Sequence, residues 1–289
     1  MSILVTGATG TIGSLIIQGL ADVGAEVKAL VRQPGKRTFP AGVTEVVGDL
    51  TDVPSMRAAL SSVRTLFLLN AVTPDEVTQA LIALNLAQEA GIERIVYLSV
   101  IHADKFTNVP HFTGKQTVER MIESLGIPAT ILRPAYFMQN EGMVQKAIQD
   151  YGVYPMPIGA AGVAMIDARD IADVAVAELL RRDRAPAALD RVTLDLVGPQ
   201  ALTGASVAKI WSSALGREVV YAGDDVAAFE AQMAAFGPAW MAYDMRLMMS
   251  NIQKFGMQAA EGTVEQLQSL LGRPLRTYEN FVREATAQA

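Results

Sequence analysis

The sequence predicts an α/β protein: a doubly wound parallel sheet with a smaller, mainly helical lobe attached. Three observations predict it. Short β-branched runs alternate with longer helical patterns through the first half, the rhythm of parallel strands whose crossover helices cover both sheet faces. A glycine-rich turn at residues 7–13 joins the first run to the first helix. Beyond Leu132 the texture changes to a Pro- and Gly-rich stretch and then to mainly helical sequence.

In chain order, strands are expected at residues 3–6, 27–31, 43–47, 66–69, 95–99 and 129–132. Crossover helices are expected at 12–23, 53–60, 76–90 and 114–125, with a further helix at 141–149. Within 76–90, Val77, Leu81, Leu84 and Ala87 recur at three- or four-residue spacing and make one buried stripe. Gly24, Gly91 and Gly126 stand where helices stop. Residues 151–162, YGVYPMPIGAAG, read as a loop beside a site. Asp170 is expected to cap a helix at 171–180, and 192–197 to return to the sheet as a strand. From Pro199 onward the pattern is helical, apart from a short strand at 218–222. Residues 1–150 and 163–197 thus form the expected core, and 151–162 and 198–289 the expected lobe.

Composition narrows the function classes. The 289 residues are 51% hydrophobic, enough for a large core. With 24 Lys plus Arg against 30 Asp plus Glu, the net charge of -6 offers no field for nucleic acid or anionic lipid. The absence of cysteine removes thiol chemistry, and two histidines are too few for a multi-histidine metal site, so no metal is expected. No apolar run approaches the roughly 18 residues of a membrane span. The start of the chain runs directly into strand pattern, so a cytoplasmic protein without a signal segment is the expectation.

The turn Gly7-Ala8-Thr9-Gly10-Thr11-Ile12-Gly13 has G-x-x-G-x-x-G spacing. Gly7 permits the tight exit from the strand, Gly10 lets backbone approach phosphate, and Gly13 lets the helix lie close to the sheet. A pyrophosphate would meet the helix N-terminus, where free N–H groups and the dipole favour an anion, and Thr9 and Thr11 add hydroxyl donors. The turn lacks the Gly-Lys-Ser/Thr ending of an ATP-hydrolysing loop. A Rossmann-type dinucleotide core is therefore expected. At the end of the second strand, where an NAD enzyme commonly presents an acid to the ribose, stands Arg32, followed by Lys36 and Arg37. A guanidinium pairs with a 2′-phosphate, so NADPH is preferred to NADH. Asp49 follows the third strand, where it either meets the adenine edge or caps the next turn. Asn70 and Ser99 end the fourth and fifth strands, the edge where ligands lie in this architecture.

For the reacting end, the segment His111-Phe112-Thr113-Gly114-Lys115 puts His111 and Lys115 on one helix face if the helix has begun at His111. Lys115 is the candidate contact for the ribose beside nicotinamide. The His111 imidazole is a candidate donor of a proton to a substrate oxyanion, and it also fits a structural loop position or a wall of the substrate pocket. Tyr136 is a second donor candidate. Hydride transfer to a quinone-like acceptor can also proceed without a dedicated acid, since cofactor placement and solvent can suffice. Met241, Met245, Met248 and Met249, near Trp240, Tyr243 and Phe255, suit core or subunit packing, or a pocket for a flat aromatic substrate.

These pieces together resemble the NmrA-like branch of the atypical short-chain dehydrogenase/reductases, a group with quinone- and triphenylmethane-reductase-like enzymes and redox-sensing regulators. The resemblance rests on GATGTIG (7–13), LVR (30–32), HFTGK (111–115), LRPAYFMQN (132–140) and LLGRPLRTYENFVRE (270–284). It implies that Gly7, Thr9, Gly10, Thr11, Ile12 and Gly13 hold the pyrophosphate, that Arg32 and Lys36 contact the NADP phosphate, and that Lys115 contacts the nicotinamide ribose. The Tyr of the standard Tyr-x-x-x-Lys pair is missing before Lys115. The expected function is NADPH-dependent hydride transfer to a quinone or other small conjugated, aromatic acceptor held in the substrate lobe. The alternative is a non-catalytic NADP(H)-sensing regulator acting through protein partners, and a homodimer is left open.

Overall fold

A computed structural model describes residues 2–287; Met1, which opens the expected core, and residues 288–289, which end the expected lobe, lie outside them. The chain begins with Ser2–Val5 (β1), Thr11–Asp22 (α1), Val27–Val31 (β2), Val43–Val47 (β3), Val53–Leu60 (α2), Val63–Leu68 (β4) and Glu76–Glu89 (α3). Arg94–Leu98 (β5), Pro110–Ser124 (α4), Ala129–Pro134 (β6), a 3-10 turn at Met138–Met143, Gln145–Tyr151 (α5) and Val153–Tyr154 (β7) follow. The remainder is Ala168–Arg184 (α6), Val192–Leu196 (β8), Gly204–Leu215 (α7), Val220–Tyr221 (β9), Val226–Ala234 (α8), Ala239–Phe255 (α9), Thr263–Leu271 (α10) and Tyr278–Ala287 (α11). Among the described residues, no helix is long and apolar enough to cross a membrane.

The described residues form two compact units: residues 2–100, 114–133 and 168–194 in the first, and 101–113, 134–167 and 195–287 in the second. The first carries a seven-stranded sheet in the order β3-β2-β1-β4-β5-β6-β8. Strands β3 through β6 pair in parallel, with Leu4 of β1 opposite Lys28 and Leu66. Successive side chains point to opposite faces. Leu4, Leu66, Leu68 and Ile95 therefore meet Met56 of α2, Leu84 and Ala87 of α3, and Val118 and Ile122 of α4. Helices α1 and α6 pack against each other. At the edge of this unit Arg182 is fully buried, donating to Thr130 Oγ1 at 2.7 Å and to the carbonyls of Leu189 and Asp190 at 3.1 and 2.8 Å.

The second unit joins β7 to β9 as a two-stranded parallel sheet and packs α7 with α11 and α8 with α9. Its buried centre is aromatic: Trp211 Nε1 donates to the Tyr278 hydroxyl at 3.0 Å. Helix α7 starts with a reciprocal cap, Ser206 N–H donating to Thr203 Oγ1 at 3.2 Å and Thr203 N–H to Ser206 Oγ at 2.8 Å. Thr203→Ala should therefore cost about 1 kcal/mol of stability, read as a lower chemical-denaturation midpoint.

Several expectations are corrected. Residues 101–113, 134–150, 163–167 and 195–197, expected in the core, belong with the second unit; in the first of these segments Phe106 stacks on Phe112 at 5.3 Å and faces Phe255, so its aromatic side chains turn to α9. Residues 151–162 are not wholly irregular, because Val153 and Tyr154 pair with Val220 and Tyr221. The helix expected at 141–149 is broken at Val144 into a 3-10 turn and α5, and Gly142, within the 3-10 turn, weakens a continuous α-helix there. Asp170 lies inside the first turn of α6 rather than before it, where a carboxylate still suits the helix dipole.

Candidate active site

In the first unit the strand order reverses between β1 and β4, the point where open α/β sheets leave a crevice for ligands. Thr6 ties the two strand ends together. Its Oγ1 donates to Leu69 O at 2.8 Å and accepts from Leu69 N–H at 2.7 Å. Gly7 then turns with φ of 61°, and a Cβ there would strike Leu69 Cδ2 at 2.9 Å. A Cβ on Gly13 would stand 2.2 Å from Gly7 O and 2.7 Å from its carbonyl carbon, so only glycine lets α1 approach the turn this closely. On Gly10 the nearest atom to a Cβ is Gly7 O at 3.4 Å, which leaves its outer side open.

Gly7, Thr9, Gly10 and Thr11 are exposed, whereas Ala8, Ile12 and Gly13 are buried. Helix α1 has no side-chain cap at Gly10 and no acid in its first turn. Its first N–H groups and its positive dipole end are thus uncompensated, and an anion completes them. Beside the turn, Asn70 is 3% exposed and neither Oδ1 nor Nδ2 has a protein partner. A buried amide left this way costs free energy that a polar ligand recovers. The open glycine turn, the uncapped helix and the orphaned amide fit the phosphates and ribose of a dinucleotide.

Arg32, Lys36 and Arg37 are exposed just past β2. Arg37 Nη1 donates to Thr9 O at 2.5 Å, which anchors a guanidinium on the turn itself. Asp49 Oδ1 accepts from the Thr51 hydroxyl at 2.6 Å and N–H at 2.9 Å. These bonds, with a smaller contribution from the Arg32 charge, hold its carboxyl below the usual carboxylate range. The cap of α2 is Asp52, which accepts from Ser55 N–H at 2.8 Å.

Ser99 is buried and its hydroxyl donates to Glu119 Oε1 at 2.5 Å, while Glu119 takes Arg133 through Nε at 3.0 Å and Nη2 at 2.5 Å. Lys115 is no solvated helix lysine. Its side chain is 9% exposed and Nζ donates to Glu76 Oε1 at 2.5 Å. An ammonium has three donors, so two remain for a ligand. Removing either partner would leave a buried charge unpaired.

Helix α4 begins at Pro110, so it already includes His111 and the i,i+4 relation to Lys115 holds. In the second unit, His111 Nδ1 lies 2.8 Å from Asp244 Oδ1, and its N–H donates to Asp244 Oδ2 at 3.3 Å. Tyr136 is buried, and burial, then the Glu141 charge, push its phenol well above the ordinary range. Of the methionines of α9, Met248 and Met249 are core, while Trp240, Tyr243 and Phe255 are exposed.

Four participants were missed from sequence: Glu76, Glu119, Asp244 and the Arg37 tether. Asp244 had a signal. It shares the buried side of α9 with Met248, Met249 and Ile252, and a lone acid in an apolar stripe calls for a partner. Glu76 and Glu119 had none, since an acid at a helix start or on a crossover helix is ordinary.

The sequence profile of the NmrA-like family matches residues 1–282. The chain belongs to the NmrA-like family. It is 33% identical over 290 aligned positions to an NAD(P)H azoreductase of Xenophilus azovorans, covering 99% of this chain and 98% of that protein. The structure of an NADPH-dependent quinone oxidoreductase from Escherichia coli complexed with NADPH superposes with a TM-score of 0.85 at 25% identity, covering 98% of this chain and 99% of that chain. A Citrobacter sp. triphenylmethane reductase complexed with NADP(H) gives 0.84 at 25% identity, with the same coverage. The expected Rossmann-type sheet of this NmrA-like protein is thus the fold observed.

Proposed function

We propose that this chain is an NADPH-dependent oxidoreductase that reduces a quinone or other small conjugated acceptor. The observation that carries it is the open glycine turn at an uncapped helix start, beside the orphaned Asn70 amide. Bound NADPH supplies a hydride. The protein's part is to hold and orient: N–H groups of Thr11, Ile12 and Gly13 take the pyrophosphate, and Gly7, Thr9 and Gly10 keep its approach clear. Arg32, Lys36 and Arg37 take the 2′-phosphate, and Asp49 and Asn70 border the adenosine and the ribose chain. Lys115, oriented by Glu76, donates to the nicotinamide ribose, and Ser99, just past the end of β5, borders the same ligand edge. His111 supplies the proton in preference to Tyr136, whose deeply buried phenol holds its proton too strongly.

A reductase is favoured over a non-catalytic NADP(H) sensor because relatives covering nearly the whole chain are named reductases. Anaerobic mixing with NADPH and a panel of quinones, aldehydes and azo or cationic dyes tests it. Acceptor-dependent loss of NADPH absorbance is expected, and tight NADPH binding without turnover across the panel would favour the sensor. Arg32→Glu is expected to weaken NADPH roughly ten- to hundredfold, the size of a lost charge-assisted pair, and NADH far less. Equal losses for both nucleotides would remove the proposed phosphate contact.

A further inference from the structure

We propose that Asp244 is the positioning residue of His111, fixing the imidazole with hydrogen on Nδ1 so that Nε2 is the nitrogen that passes a proton to the reduced acceptor. This rests on the reductase reading above.

The grip is two-pronged. One carboxylate oxygen takes the ring at 2.8 Å, and the other takes the His111 backbone N–H at 3.3 Å. That N–H belongs to the first turn of α4, where no intrahelical acceptor exists. Asp244 is 1% exposed and comes from α9, so ring and helix start are held by one buried group. Phe112 meets the imidazole edge-on, with ring centroids 4.7 Å apart, and limits its rotation. An ionised carboxylate only accepts hydrogen bonds, so Nδ1 carries the hydrogen. Among the described residues, Nε2 has no hydrogen-bond partner.

The chain holds its own control. His102 is the other histidine, and its Nε2 lies 2.8 Å from Gln258 O. A carbonyl also only accepts, so His102 carries its hydrogen on Nε2, and its buried Nδ1 is bare. Two histidines in one chain are thus held in opposite tautomers by two acceptors.

In the step served, a conjugated carbonyl acceptor gains two electrons and one hydrogen as hydride from NADPH, which leaves as NADP+. The resulting oxyanion takes the proton from Nε2–H of the imidazolium, and the neutral imidazole recovers a proton from solvent. Without Asp244, the ring is free to turn and to carry hydrogen on either nitrogen.

Long-range proton–nitrogen NMR of the full chain without nucleotide reads the tautomers directly. Neutral His111 is expected in the Nδ1–H form and His102 in the Nε2–H form. In Asp244→Asn the amide can donate to Nδ1, so His111 should change to the Nε2–H form while His102 stays unchanged. The same variant should lower kcat for acceptor reduction about a hundredfold, the scale of a lost general acid, with the NADPH Kd unchanged. Asp244→Glu should recover part of that loss. In a His111→Ala background, Asp244→Asn should add nothing. Wild-type His111 in the Nε2–H form would overturn the proposal even if the variants do not fold. An unchanged tautomer in Asp244→Asn, in a protein that turns over, removes Asp244 while leaving the reductase reading intact. The expected tautomer change in a protein that reduces no acceptor removes the reductase reading and the proton role with it.

Discussion

Replacing Gly13 by alanine is expected to weaken NADPH binding by about a hundredfold or more and to lower stability by about 1–3 kcal/mol, the usual cost of forcing atoms into a filled space. The new Cβ would stand 2.2 Å from Gly7 O and 2.7 Å from its carbonyl carbon. Both are backbone atoms, so no side-chain rotation relieves the clash and the turn itself must move. Alanine's better helix propensity returns about 1 kcal/mol at most, too little to reverse the sign. Gly10→Ala is the informative companion. Gly10 has φ of -81°, open to any residue, and its Cβ would meet only Gly7 O at 3.4 Å. Its stability should change by less than about 0.5 kcal/mol, a tolerated surface change, yet NADPH should bind less well because the methyl stands on the phosphate's approach. Nucleotide fluorescence titration and thermal unfolding separate the two effects. Wild-type NADPH affinity in both variants would mean the phosphates bind elsewhere.

That turn was legible in the sequence because its chemistry is local: three glycines, each with a separate steric reason, lie within seven consecutive residues. The parallel sheet was legible for a similar reason, since each strand and its following helix announce themselves by period. Charge partnerships were not. Lys115 stood out by its spacing from His111, but its partner Glu76 lies on α3 and opens that helix as any acid would. Asp244 meets His111 across 133 residues of sequence, and only the burial pattern of α9 hints at it. Residues 101–113 misled because they follow a core strand directly, while Phe106 and Phe112 turn their rings to the second unit. Local rules locate the glycine turn; the acids that pair with Lys115 and His111 are set by tertiary packing.

The contribution of Glu141 to stability should fall as pH rises from about 4.5 to 7, and Glu141→Gln should remove that contribution. Glu141 is 1% exposed in the second unit. The Tyr154 hydroxyl donates to Oε1 at 3.1 Å and the Tyr278 hydroxyl to Oε2 at 3.2 Å. Among the described residues, its side-chain partners are these two phenols and no cation offsets its burial. Burial outweighs the two phenol bonds and lifts its carboxyl from 4.5 to about 7. The same burial pushes both phenols well above their ordinary range, so they remain donors throughout. Between 4.5 and 7 the folded chain holds a proton at Glu141 that the unfolded chain has released, so unfolding releases it and stability declines with pH. The contribution is complete below 4.5, is lost as pH climbs to about 7, and is constant above. A difference of about 2.5 units corresponds to about 3 kcal/mol. Glutamine is neutral at every pH but turns an amide N–H₂ toward one phenol, sacrificing about 1 kcal/mol of hydrogen bonding. Glu141→Gln should therefore be less stable than wild type near pH 4 and more stable near pH 8. Chemical denaturation of both proteins at the two pH values gives the sign directly, since other titrating groups cancel in the difference. Parallel stability curves with no crossing would show that Glu141 stays ionised in the fold and that the tyrosines around it stabilise the anion.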